Sequence, residues 1–218
     1  MEEARQFGFS QIMSEAAEMA RVKLALSLLV ILVIAGGYSL LDLVGSKVGS
    51  VPSLLVTIFG QYHFTEQLLP EQLAEGQRNR RYGSLFGAGL LSGLGVFVGS
   101  LLLLLPGLFL LARWELATPF VVCQNLRATE ALRASWKATA KSWLPIAGVL
   151  VVLVVFLAAL VFGSIVALLA LGISEDSPML SVPINMIVGL YSVGGWIIAA
   201  AIYRLAVATS GNLPEIFA

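Results

Sequence analysis

Charge is what this chain has least of. Of its 218 residues 12% are Asp, Glu, Lys or Arg, while 58% are hydrophobic. A water-soluble domain of this size needs far more charge to cover its surface, so the bilayer is the expected solvent. The 13 basic and 13 acidic residues cancel, and no nucleic acid is expected as a partner. Cys123 is the only cysteine and His63 the only histidine. One cysteine supports neither a disulfide framework nor a cysteine metal site within the chain. Most metalloenzyme, Ser/His and Cys/His chemistries fall with those two scarcities. Carboxylate pairs, nucleophile–base sets and Gly-rich phosphate loops are also missing, so no catalytic residue, no metal and no cofactor is expected. A short basic signal-peptide start is absent too. The first apolar run begins at Leu24, after Glu2, Glu3, Glu15 and Glu18, and reads as a retained helix.

What is present is long uncharged sequence. About 20 apolar residues cross roughly 30 Å of hydrocarbon as a helix. Uncharged intervals of 18 residues separate Lys23 from Asp42 and Lys47 from Glu66, the second weakened by Gln61, Tyr62 and His63. Intervals of 33 and 27 residues separate Lys141 from Glu175 and Asp176 from Arg204. Tyr82–Leu126 is harder to read, with 45 residues between the basic clusters Arg78-Arg80-Arg81 and Arg127-Arg133-Lys137-Lys141. Two crossings joined by a turn at Pro106-Gly107 fit that length. They place Arg113 and Glu115 in the second arm, at about 2.5–3.5 kcal/mol for each mid-bilayer charge.

The expected fold is therefore an all-α polytopic transmembrane bundle of about six spans. They cover residues 23–42, 51–70, 83–105, 107–125, 144–172 and 183–207, within a single unit at 23–208. An amphipathic helix at 1–22 precedes it, an interfacial helix at 126–143 interrupts it, and a tail at 209–218 follows. Basic residues cluster on one side, at Arg5, Arg21, Lys23, 78–81 and 127–141, with Glu175 and Asp176 opposite. The positive-inside bias makes the basic side cytoplasmic and returns both termini there.

Two segments read as interfacial. Phe9, Ile12, Met13, Ala16 and Ala20 share one helical face of the first. In 126–143, Leu132, Trp136, Ala140 and Trp143 form a stripe beside Arg133, Lys137 and Lys141, as a helix lying among headgroups requires. Packing of that helix on its own protein is the alternative. Gly83, Gly87, Gly89, Gly93, Gly95 and Gly99 form three small-xxx-small pairs, which predict a helix contacted on several sides.

The stretch from Gly107 to Trp143 carries a resemblance. Pro106-Gly107, Arg113, Pro119, Glu130-Ala131-Leu132 with Ser135-Trp136, and Tyr203-Arg204-Leu205 are similar to the membrane domain of some glycerophosphodiester phosphodiesterases and to YciC-type bacterial inner-membrane proteins. The likeness covers about the C-terminal two thirds of the chain. It implies a polytopic fold of five to six spans in a bacterial inner membrane. No phosphodiesterase activity is implied, because the catalytic barrel of those enzymes has no counterpart in these residues.

The expected lipid-binding residues are Arg113, Arg133, Trp136, Lys137 and Lys141. Arg113 is expected to hold an anionic headgroup or pair with Asp42 or Glu115, and the other four to meet the anionic leaflet. The expected function is non-catalytic handling or sensing of lipid, or a scaffold or accessory role in an envelope process. Its partners are membrane lipids with anionic headgroups, and a membrane protein or a second copy. A transporter or channel component with a cavity near Pro106, Arg113 and Pro119 is the alternative. His63 and Glu66 share a helical face and read as interfacial residues near a helix end.

Overall fold

The computed structural model describes residues 6–44, 50–69, 81–173 and 181–207. The expectations about Arg5, Lys47, Arg78, Arg80, Glu175, Asp176 and the tail 209–218 lie outside these residues. The described chain is helical throughout, with no strand among the described residues. The helices are α1 (Phe9–Val22), α2 (Leu24–Val44), α3 (Ser50–Leu68), α4 (Tyr82–Leu102) and α5 (Leu104–Trp114). They continue as α6 (Ala117–Gln124), α7 (Ala128–Ala138), α8 (Trp143–Ala170) and α9 (Ser181–Val207). Among the described residues five stretches are long and apolar enough to cross a bilayer: Leu24–Asp42, Tyr82–Leu102, Leu104–Gln124, Trp143–Ala170 and Ser181–Val207. The expected span at 51–70 is the helix α3, which the polar second half from Gln61 to Gln67 keeps out of that set.

α9 is the central post. Its run from Trp196 to Tyr203 is buried, and three alanines at 199–201 let α1, α2, α3, α6 and α8 come close. α2 runs antiparallel to α9, tied at one end where the Asn185 amide donates to Asp42 at 2.8 Å and to Ser39 at 3.2 Å. α3 follows α2 back, with Tyr38 and Thr57 hydroxyls 2.7 Å apart, and seats Phe64 against Trp196. α8 stands beside α9 and turns Val151, Val155, Phe156 and Phe162 outward, as α2 does with Leu28, Leu29 and Leu32. So much outward apolar surface belongs in lipid.

α1 packs on the bundle through α8 and α9. Its Gly8 N–H is capped by Gln11, and it buries Ile12, Ala16 and Met19 against α8 and α9. Phe7 N–H donates to Ser142 Oγ at 3.0 Å, and Glu15 pairs with Arg204 at 2.9 Å. Of the face expected to be interfacial, Phe9 and Met13 are exposed.

The segment after α3 differs most from expectation. The turn between α4 and α5 falls at Leu103, and Pro106 and Gly107 lie inside the first turn of α5. Proline is tolerated there because first-turn N–H groups have no partner inside the helix. Gly107 answers to packing: a Cβ would come within 2.9 Å of the Ser100 backbone nitrogen. The expected single helix over 107–125 is broken at Glu115-Leu116 into α5 and α6, and the helix over 126–143 is shorter, with Trp143 starting α8. α4 packs on α3, α5, α6 and α7, yet most of its length faces outward. Gly87, Gly95 and Gly99 meet Ala128, Trp114 and Gly107, but Gly83, Gly89 and Gly93 have open space beside them.

Candidate functional site

A broken helix exposes backbone groups that nothing inside it can satisfy. At Glu115-Leu116 the missing partners come from α7. The Ser135 hydroxyl donates to Arg113 O at 2.8 Å and accepts the Leu116 N–H at 3.1 Å, so one side chain bridges both sides of the break. Thr139 Oγ1, one turn on, lies 3.2 Å from the same carbonyl. Ser135 and Thr139 are fully buried. Ala131 and Ala134 complete this inner face of α7 and allow its close approach to α6. α6 is buried at nearly every position, with Phe120 edge-on to Tyr203 and Thr118 accepting from the Gln61 amide at 2.9 Å. Asn125 closes α6 with φ 53°, a left-handed conformation that asparagine adopts readily. Glu130 then accepts the Arg127 N–H at 2.8 Å and starts α7.

With that docking the rotation of α7 is set, and so is the placement of each expected site residue. Arg113 is buried, 6% exposed, and its guanidinium carbon sits 4.3 Å from the centre of the Trp136 ring and 5.9 Å from that of Phe109. It pairs with neither expected carboxylate. Asp42 is held by Asn185, and Glu115 makes no ion pair with it. Trp136 faces this cation and touches Phe109 and Trp114, so it belongs to an internal aromatic cluster that Trp143 joins through Phe109. Arg133, Lys137 and Lys141 point the other way and are exposed. Arg133 and Lys137 have no acidic side chain in ion-pair range among the described residues. The structure therefore brings Arg113 and Trp136 together inside and keeps the three basic residues as a separate outer face.

His63 and Glu66 do meet, at 3.4 Å, and the Tyr82 hydroxyl lies 3.1 Å from the other imidazole nitrogen. They sit near the end of α3, on the side facing the start of α4. Ser135 and Thr139 were missed as site residues. A serine and a threonine four apart beside small alanines, opposite a charged break in an apolar run, is the signal that could have marked them.

Helix length and hydropathy make this chain a multi-pass α-helical membrane protein. Comparison with protein-family models, with curated proteins and with solved structures finds no match to it.

Proposed function

We propose that this chain is a non-catalytic protein of a bacterial inner membrane that binds anionic lipid headgroups through α7, in the service of lipid handling, sensing or scaffolding. The observation that carries the reading is the two-sidedness of α7. One face is bonded to the broken α5–α6 helix, and the other presents Arg133 and Lys137 without acidic partners among the described residues, with Lys141 beyond them. A basic face held rigidly on a lipid-embedded bundle attracts the anionic leaflet at about 1 kcal/mol per residue. The positive-inside bias of the sequence supports a cytoplasmic position for that face and for both termini. The resemblance to YciC-type proteins agrees with this location. Arg113 serves by positioning, since it faces Trp136 and not the bilayer.

A transporter or channel component with a cavity near Pro106, Arg113 and Pro119 draws on the same broken span. Against it, Pro119 is buried, Trp136 covers Arg113, and protein hydroxyls bond the backbone groups at the break. Side chains take the space a solute needs.

The test is native mass spectrometry in mild detergent with phosphatidylglycerol or phosphatidylcholine added. The parent is expected to retain phosphatidylglycerol preferentially. The triple variant Arg133→Glu, Lys137→Glu, Lys141→Glu is expected to lose about 3 kcal/mol or more, roughly a hundredfold in affinity. Equal retention of phosphatidylglycerol by a folded triple variant removes the lipid-binding role.

A further inference from the structure

Length and composition alone make α4 and the α5–α6 stretch candidate crossings. We propose instead that the α4–α5 hairpin is re-entrant: its tip, Leu101–Leu105, ends among the acyl chains of the leaflet beside Trp143 and touches lipid tails without reaching the opposite surface.

The first argument is reach. Trp143 is the first residue of α8, and its ring lies 5.1 Å from that of Phe109. Leu103 precedes Phe109 by six residues, about 9 Å of helix at 1.5 Å per residue. Adding the ring separation and about 4 Å for each side chain, the tip is at most about 22 Å from the Trp143 backbone. The far end of α8, at Ala170, is about 40 Å from Trp143, beyond the roughly 30 Å of hydrocarbon. With Trp143 at the hydrocarbon boundary the tip falls short of the opposite surface in whichever direction the hairpin points, and α4, about 31 Å long, lies tilted to the membrane normal.

The second argument is chemistry. A hairpin that crosses must put its turn among headgroups, where polar and aromatic side chains anchor it. From Gly99 to Ala112 the only polar side chain is Ser100, and Leu101–Leu105 are 68–80% exposed. The connection after α8 shows the contrast, with Ser174, Glu175, Asp176 and Ser177 in sequence. Five bare leucines have no favourable place in water. Their surface is continuous with Leu90, Leu94, Phe97 and Val98 on α4, outward-facing apolar residues like those of α2 and α8.

Backbone cost is the obstacle to any turn in hydrocarbon, and this turn keeps it small. Leu103, in extended conformation, is the one residue between the helices, and its N–H donates to Gly99 O at 3.1 Å. Pro106 has no N–H to leave unpaired in the first turn of α5. Gly99 and Gly107 let the two arms pack backbone to backbone, so the hairpin holds its shape without other elements at the tip: a Cβ on Gly99 would lie 3.1 Å from the Gly107 nitrogen.

Leu103→Cys, Leu105→Cys and Thr129→Cys, each in a full-length Cys123→Ser background, test the assignment. Each is spin-labelled in vesicles of phosphatidylethanolamine and phosphatidylglycerol, and folding is checked by size exclusion, so that failure of one tip variant leaves the other. Labels at 103 and 105 are expected to move freely, to collide with oxygen severalfold more than with a water-soluble nickel chelate, and to reverse that ratio relative to 129. The same cysteines are expected to resist an impermeant maleimide from both sides. Reaction at the tip from the side opposite Thr129 establishes a full crossing and overturns the proposal. Reaction from the same side puts the tip in water, and an immobile label hidden from both quenchers means a protein partner or a second copy covers it. Either result overturns it as well.

Discussion

The Arg113 guanidinium lies 4.3 Å from the centre of the Trp136 ring, and no carboxylate among the described residues is within ion-pair range of it. A desolvated cation over an indole face is worth about 2 kcal/mol. A double-mutant cycle with Arg113→Met and Trp136→Leu is expected to give a coupling of about 2 kcal/mol in detergent unfolding. Coupling within error of zero reduces the stack to coincidence of packing.

Ser135 bridges the α5–α6 break. Ser135→Ala orphans the Leu116 N–H in a dry site and is expected to cost about 1–3 kcal/mol of stability. Thr139→Val costs less, because Arg113 O keeps its bond from Ser135. Ser164→Ala is the control, since that hydroxyl bonds only Val161 O within its own helix. Thermal unfolding should rank the three in that order. Equal melting of Ser135→Ala and Ser164→Ala contradicts the bridge.

Two glycines of the hairpin are expected to respond with opposite signs. Gly107→Ala meets Ser100 and should destabilise, whereas Gly93→Ala meets nothing and should stabilise by up to about 1 kcal/mol through helix propensity. The same sign at both positions, read from melting temperatures, means the arms are not packed as described.

α1 is held by apolar contact more than by charge. Glu15 and Arg204 are partly exposed, so Glu15→Gln should change stability by no more than about 1 kcal/mol. Ile12 is fully buried, and Ile12→Ala should cost about 2–5 kcal/mol. Limited proteolysis of α1 is expected to accelerate in the second variant only. Acceleration of similar size in both makes the ion pair the principal clamp.

Hydropathy reads one residue at a time, and it was enough for the all-helical class, the apolar stretches and the basic face at Arg133, Lys137 and Lys141. These follow from how each segment partitions between water and lipid, which depends on its own side chains. Local signals failed where partners outside the segment decided the outcome. Pro106-Gly107 looked like a turn because both residues break helices, yet proline suits a first turn and Gly107 is required by Ser100 on the other arm. The break at Glu115-Leu116 has a local cause in Pro119, which offers no N–H to the Glu115 carbonyl and crowds it, but what satisfies the opened backbone is Ser135, 19 residues away from Leu116. The same bond sets the rotation of α7. Sequence periodicity placed Trp136 next to the basic stripe, but whether that neighbouring face met lipid or protein depended on which carbonyl Ser135 and Thr139 found. Composition determined that this chain lives in a membrane. Hydrogen bonds and close packing between distant segments decided which of its apolar helices turn, break and bury their charge, because a backbone group without water must find its partner wherever the fold supplies one.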